Sequence, residues 1–309
     1  MHFLTLLLTL TPVLCFGPAT HAVISCSSPS VSKLTSAKGD LVGCTSYPET
    51  LALVDTPDAF AFGKFNISSN ECVNAAQLHD PLFGGYVLAS LANGTIAPPK
   101  GLSQATATTG MAIFTSHMLG DLVGFHPGGA LCLAPDLTGG CTQSGIDYLL
   151  MWKTMSAVDG LLLAGASLTY ADFVAPATLP PATWDLYLRL ITDASKRYAA
   201  FTPSFTAVSF ETAQACSYYW NKNVGPLVRI AAATSRETLT AELSVMTHGV
   251  LHTENVDSFL TAQQGCGTAA VEQFVGGILA NPAVDVVSLF HATAAAVASS
   301  YSSGDCGAV

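Results

Sequence analysis

A chain of 309 residues suits one large domain or two small ones. With half of its residues hydrophobic and only 10% charged, it has a composition that folds rather than one that stays disordered. Eleven Lys and Arg against 21 Asp and Glu leave a net charge of −10 without any basic run, which argues against a nucleic-acid surface built on clustered cations. A nuclease centre is still compatible with that balance, because metal ions neutralise phosphate locally.

Residues 3–14 form an apolar stretch too short to span a bilayer. With Val13 and Cys15 at the −3 and −1 positions, cleavage before Phe16 fits a secretory signal over residues 1–15. A rival cut after Ala22 would start the chain at Val23. Of the nine cysteines, Cys15 falls in the leader, and the even number left argues for disulfides in an exported chain. Cys132 with Cys141 is the local pair expected, since Pro135 and Gly139-Gly140 can turn the chain between them. Asn66-Ile-Ser68 and Asn93-Gly-Thr95 are glycosylation acceptors that agree with a secreted glycoprotein.

Helical patterns follow one another along the chain. A short helix runs from Phe16 to about Lys33 and breaks near Pro29. Residues 39–65 are punctuated by Gly, Pro and Asp. A helical stretch spans 72–92, where Pro81 marks a kink or the first turn of a new helix. A linker rich in small and polar residues is expected over 94–109, then a helix over 109–123 and a Gly-rich loop over 126–143. Further helices are expected at 145–163, 184–199, 207–220, 223–233, 235–251 and 268–300. Strand-like alternation is sparse, so the predicted class is all-α in a single domain over 16–309. Its metal-site core would occupy 16–163, with additional helices over 164–309.

The stretch Thr115–His126 reads H-x3-D-x4-H. His117 and Asp121 are spaced to share one face of a helix, one turn apart, and His126 follows Gly124. Imidazole and carboxylate are ligand types that zinc takes, and i, i+4 is a spacing helical zinc sites use. Ahead of this stretch lie Phe16-Gly-Pro-Ala-Thr-His21, then Asp58 after Pro57, then His79 beside Asp80. Behind it lies Met155-x3-Asp159. Asp159 in an apolar helix is costly unless a metal or another partner meets it.

In this order and spacing the chain resembles the zinc-dependent phospholipase C superfamily. That group includes the single-strand zinc nucleases and the catalytic domain of glycosylphosphatidylinositol phospholipase D. The latter branch is the most similar, through Thr115-Ser-His-Met and Pro57-Asp-Ala-Phe. The resemblance covers about residues 16–163. It implies a multi-helix fold and two or three zinc ions. Asp58, His79, His117 and Asp121 would hold one. The amino terminus and carbonyl of Phe16, with His21 and a bridging Asp121, would hold a second. His126 and Asp159 would hold a third, where the expected histidine is replaced by Met155 and a thioether is a poor zinc ligand among hard oxygens. His248-x3-His252 is another i, i+4 pair that could lend an imidazole, though two polar positions on a packed helix is the favoured reading.

The implied activity is cleavage of phosphate esters by a metal-activated water, with Asp58 as the catalytic carboxylate and a phosphodiester or phospholipid as substrate. A membrane-surface contact is compatible with this, and no stable protein partner is implied. Two alternatives stay open. One is a nuclease or 3'-nucleotidase acting on single-stranded nucleic acid. The other is a secreted binding protein that has lost one metal site and catalysis with it.

Overall fold

Proline starts five of the helices. In the computed structural model, which describes residues 17–35, 41–61, 72–124, 157–167, 179–220, 235–246 and 252–306, Pro18, Pro29, Pro48, Pro81 and Pro181 each open one. The fixed φ of proline suits a first helical turn, and its missing N–H costs nothing there. These residues begin α1 (Pro18–Ser27), α2 (Pro29–Thr35), α4 (Pro48–Leu53), α6 (Pro81–Ala92) and α9 (Pro181–Ala199). Between them lie α3 (Leu41–Thr45), α5 (Thr56–Ala61), a 3-10 helix (Cys72–Leu78), α7 (Gln104–Gly124) and α8 (residues 157–165). The chain continues through α10 (Phe210–Tyr219), α11 (Arg236–Met246), α12 (Val256–Val271), a π turn (Glu272–Gly276), α13 (Gly277–Ala280) and α14 (Val286–Ser303). The all-α class is thus observed, with no strand among the described residues. No helix among them is long and apolar enough to cross a membrane.

Helix α7 is the axis of the molecule. It is buried nearly all round, from Ala107 to Gly124, as befits a helix with small or apolar residues on every face. Helices α6, α12, α1 and α4 pack against it. Small residues set the distances: a side chain at Gly110 would run into Tyr187 and Leu53. Helix α9 buries Tyr187, Leu188, Ile191 and Tyr198 and ends on Lys196 and Arg197, where cations complement the helix dipole. Tyr301 of α14 donates its hydroxyl to the carbonyl of Val123, tying the C-terminal helix to the end of α7.

Several boundaries differ from those expected. Helix α7 begins at Gln104, inside the expected linker, because the Ser103 hydroxyl accepts the Thr106 amide at 3.0 Å and caps it. The 72–92 stretch is two elements: Asp80 accepts the Leu82 amide at 2.8 Å and starts α6 afresh. The expected 268–300 helix is interrupted at residues 281–285, after which Asp285 caps α14. Tyr218 is exposed while Trp220 is buried, so the aromatic run around them is not wholly core.

Two disulfides join pairs of described residues, Cys26–Cys44 and Cys266–Cys306. They close spans of 18 and 40 residues, worth about 3 and about 4 kcal/mol on loop entropy. Cys216 is disulfide-bonded as well. The expected Cys132–Cys141 pair lies outside the described residues, as do residues 1–16 with the leader and Phe16, the Asn66 sequon, His126, Met155 and His248. Asn93 ends α6, and its side-chain oxygen accepts the Thr95 amide at 2.9 Å.

Candidate metal centre

Four short-range decisions bring the site together. His117 and Asp121 come from one face of α7, a turn apart. Asp58 sits in the first turn of α5, behind Thr56 and Pro57. His79 occupies the residue between the 3-10 helix and the Asp80 cap, so the start of α6 fixes its direction. His21 comes from the first turns of α1, opposite Gly120. A Cβ at Gly120 would stand 2.7 Å from His21 Nδ1, so only glycine leaves room for the ring.

The ligand atoms of Asp58, His79, His117 and Asp121 lie within 4.8 Å of one another and form a group that could hold a metal ion. The Nε2 atoms of His79 and His117 are 3.2 Å apart. His79 Nε2 stands 2.9 Å from Asp121 Oδ2 and 3.7 Å from Asp58 Oδ1. His117 Nε2 stands 3.4 and 3.3 Å from the same two oxygens. Four ligands at about 2.0–2.1 Å around a tetrahedral centre are separated by roughly 3.3 Å. The observed edges bracket that value.

The hydrogen bonding argues the same way. His117 Nδ1 is 2.6 Å from the carbonyl of Val54. A carbonyl only accepts, so Nδ1 carries a proton and donates it, leaving Nε2 as the ligand atom of the neutral ring. Val54 follows the last turn of α4. Both oxygens of Asp58 and both of Asp121 are buried and face imidazole nitrogens, with no well-formed hydrogen bond to either carboxylate. Buried carboxylates are costly unless something compensates them, and a cation at the centre of the group fits that need. The donor set, two imidazoles and two carboxylates, suits zinc among other divalent metals.

Asp121 faces two ways. Its Oδ2 belongs to the four-residue group, and its Oδ1 is 3.3 Å from His21 Nε2. The His21 ring stacks on His117 with centroids 3.8 Å apart, and His79 meets His117 edge-on at 5.2 Å. Burial pushes Asp58 up to about 7, against the pull of His117. Burial also lowers His21 to about 4, helped by the neighbouring His117. Burial works against charge on His117 too, but Asp121 and Asp58 outweigh it and hold the imidazole well above its ordinary value. Asp121 is burdened by burial, yet His117, with His21 and His79, holds it well below the usual carboxylate range.

The structure therefore gathers five of the residues picked out by spacing: His21, Asp58, His79, His117 and Asp121. It places Asp159 elsewhere, at the N-terminus of α1, where its carboxylate accepts from the backbone. His252 is exposed ahead of α12 and does not join the group. Spacing does not reveal the Val54 carbonyl, the Gly120 gap or the second carboxylate near Asp58. That carboxylate is Asp55, which weighs against a charge on Asp58 and whose Oδ2 accepts the Trp220 indole N–H at 2.6 Å. Only the Pro57-Asp58 turn hinted at that neighbourhood. No protein-family model matches the chain, and neither a curated protein nor a solved structure does.

Proposed function

We propose that the chain is a secreted, zinc-dependent hydrolase of phosphate esters, a phospholipase C-like phosphodiesterase. The observation that carries the reading is the buried group of Asp58, His79, His117 and Asp121, with ligand atoms spaced as a tetrahedral ion requires. The resemblance of the ordered motifs to the zinc-dependent phospholipase C superfamily supports the reaction class. The Cys26–Cys44 and Cys266–Cys306 disulfides support an oxidising, secretory destination.

Zinc, when bound, lowers the pKa of water and offsets charge on the attacked phosphate. The residues of the chain do the rest. Asp58, His79, His117 and Asp121 would hold the first ion. Asp121 turns its second oxygen toward His21, which with the expected Phe16 terminus would serve a second ion. Asp58 accepts the proton that the attacking water loses. His79 and Asp121, with side chains 8% and 7% exposed, form the open side, while His117 and Asp58 close the floor at 0% and 1%.

The test is a parallel assay of the zinc-loaded protein on lecithin, bis-p-nitrophenyl phosphate and single-stranded RNA. Cleavage of the first two, lost in His117→Ala, is the expected result. Preference for RNA would move the reading to the nuclease alternative. Inertness of a fully zinc-loaded protein on all three would overturn it in favour of a binding protein.

A further inference from the structure

Helix α1 starts without a cap of its own. Gly17 at the N-cap position has no side chain to accept the free amides of the first turn, and Pro18 has no amide to offer. The amides of Ala19 and Thr20 remain. They donate to Oδ2 and Oδ1 of Asp159, at 3.1 and 2.8 Å, and the Thr20 hydroxyl donates to Oδ1 at 2.8 Å. The cap thus arrives from α8, 140 residues downstream of Ala19, and Asp159 is fully buried. Gly17 is required for this approach, since a Cβ there would stand 2.3 Å from Asp159 Oδ2.

The next residue is His21. Its amide closes the first intrahelical bond onto the Gly17 carbonyl at 3.1 Å. Its ring is wedged between Gly120 and His117, with Nε2 facing Asp121 Oδ1. In a close-packed interior such a ring cannot absorb a shift of its helix without losing its contacts. The far end of α1 is tied by Cys26–Cys44. The near end is held by Asp159, whose charge also suits the positive end of the helix dipole.

We propose that Asp159 is a positioning residue for His21: a helix cap supplied from a distant part of the chain, which locks the first turn of α1 and so seats the imidazole on Asp121. The proposal rests on the two-ion reading only for what His21 is held to do; the cap stands on its own geometry.

The experiment uses the full chain labelled with ¹⁵N-histidine, titrated with zinc alone, as wild type, Asp159→Asn, His21→Ala and the double variant. Asp159→Asn keeps the shape of the side chain but loses the charge and one acceptor. It should shift the His21 ring resonances before any zinc is added. It should leave one tight zinc on the four-residue group and weaken the second by about ten- to hundred-fold, the usual effect of losing an outer-shell partner. In the His21→Ala background it should change zinc binding no further. Unmoved His21 resonances would overturn the proposal. So would loss of a further zinc in the His21→Ala background, which would make Asp159 a ligand. A wild type that binds no zinc would remove the two-ion reading, and the ring resonances alone would then decide: shifted supports the cap, unmoved overturns it. Should Asp159→Asn fail to fold, Thr20→Val removes one of the three bonds; a smaller shift of the same resonances supports the cap, and none overturns it.

Discussion

His117 carries more of the site than any other side chain. It offers Nε2 to the centre, donates Nδ1–H to Val54, and stacks with His21. Replacing it by alanine should abolish metal binding, read by titration of the chelated protein with zinc. It should also cost about 3 kcal/mol of stability, read by urea unfolding, because Asp58 and Asp121 are left buried with one partner fewer. The protonation states give a second expectation. In chelated protein, Asp58 at about 7 and His117 well above 6.5 bind more protons folded than unfolded. Their contribution is complete at low pH. It is lost between the usual carboxylate range and about 7 for Asp58, and above 6.5 for His117. His21, lowered to about 4, acts oppositely, adding stability as pH rises from about 4 to 6.5. Asp121, held low, adds stability that is already complete above its ordinary value of 3.8. Above pH 6.5 only the losses remain. Chelated protein should therefore lose on the order of 1 kcal/mol between pH 6.5 and 8. Zinc affinity should strengthen over the same interval as the metal displaces protons. Urea unfolding at several pH values, with and without zinc, checks both signs.

At the scale of elements, the site depends on how helices begin. Asp80 caps α6 and so directs His79. Asp80→Ala should cost about 1 kcal/mol and weaken zinc binding by roughly tenfold, a combination that a cap unrelated to the site would not give. Gly120→Ala should cost about 1–3 kcal/mol by pressing a methyl group onto His21, seen as a lower Tm and a weaker second zinc. Much of this was readable beforehand. Pro81 marked a kink or the start of α6, and the four-residue spacing of His117 and Asp121 marked one face of α7, while Pro29 read only as a break although it opens α2. The first turn of α7 was not readable, because Gln-Ala-Thr-Ala-Thr-Thr has the composition of a linker. It is helical because Ser103 caps it. For Asp159, the need for a partner was evident from its apolar surroundings. The partner was not, since backbone amides at a helix start carry no mark in the sequence.

At the scale of the molecule, distant segments converge on α7. Helices α1, α4, α6 and α12 surround it, α10 packs against α5, which carries Asp58, and α14 fastens to its end through Tyr301. Among the described residues, α12 and α14 thus pack on the helix that carries His117 and Asp121, a point that motif spacing in the first half of the chain could not express. A metal at the crossing of so many helices couples to folding: an ion at a thousand times its Kd adds about 4 kcal/mol. The most direct measurement of the central claim is metal analysis of the intact protein, purified without chelator, beside thermal unfolding with and without added zinc. One or more zinc per chain and a Tm that rises with zinc in wild type, both absent in His117→Ala, is the result predicted. A wild-type protein that carries no zinc, takes none up and unfolds at the same temperature with or without it would contradict the account.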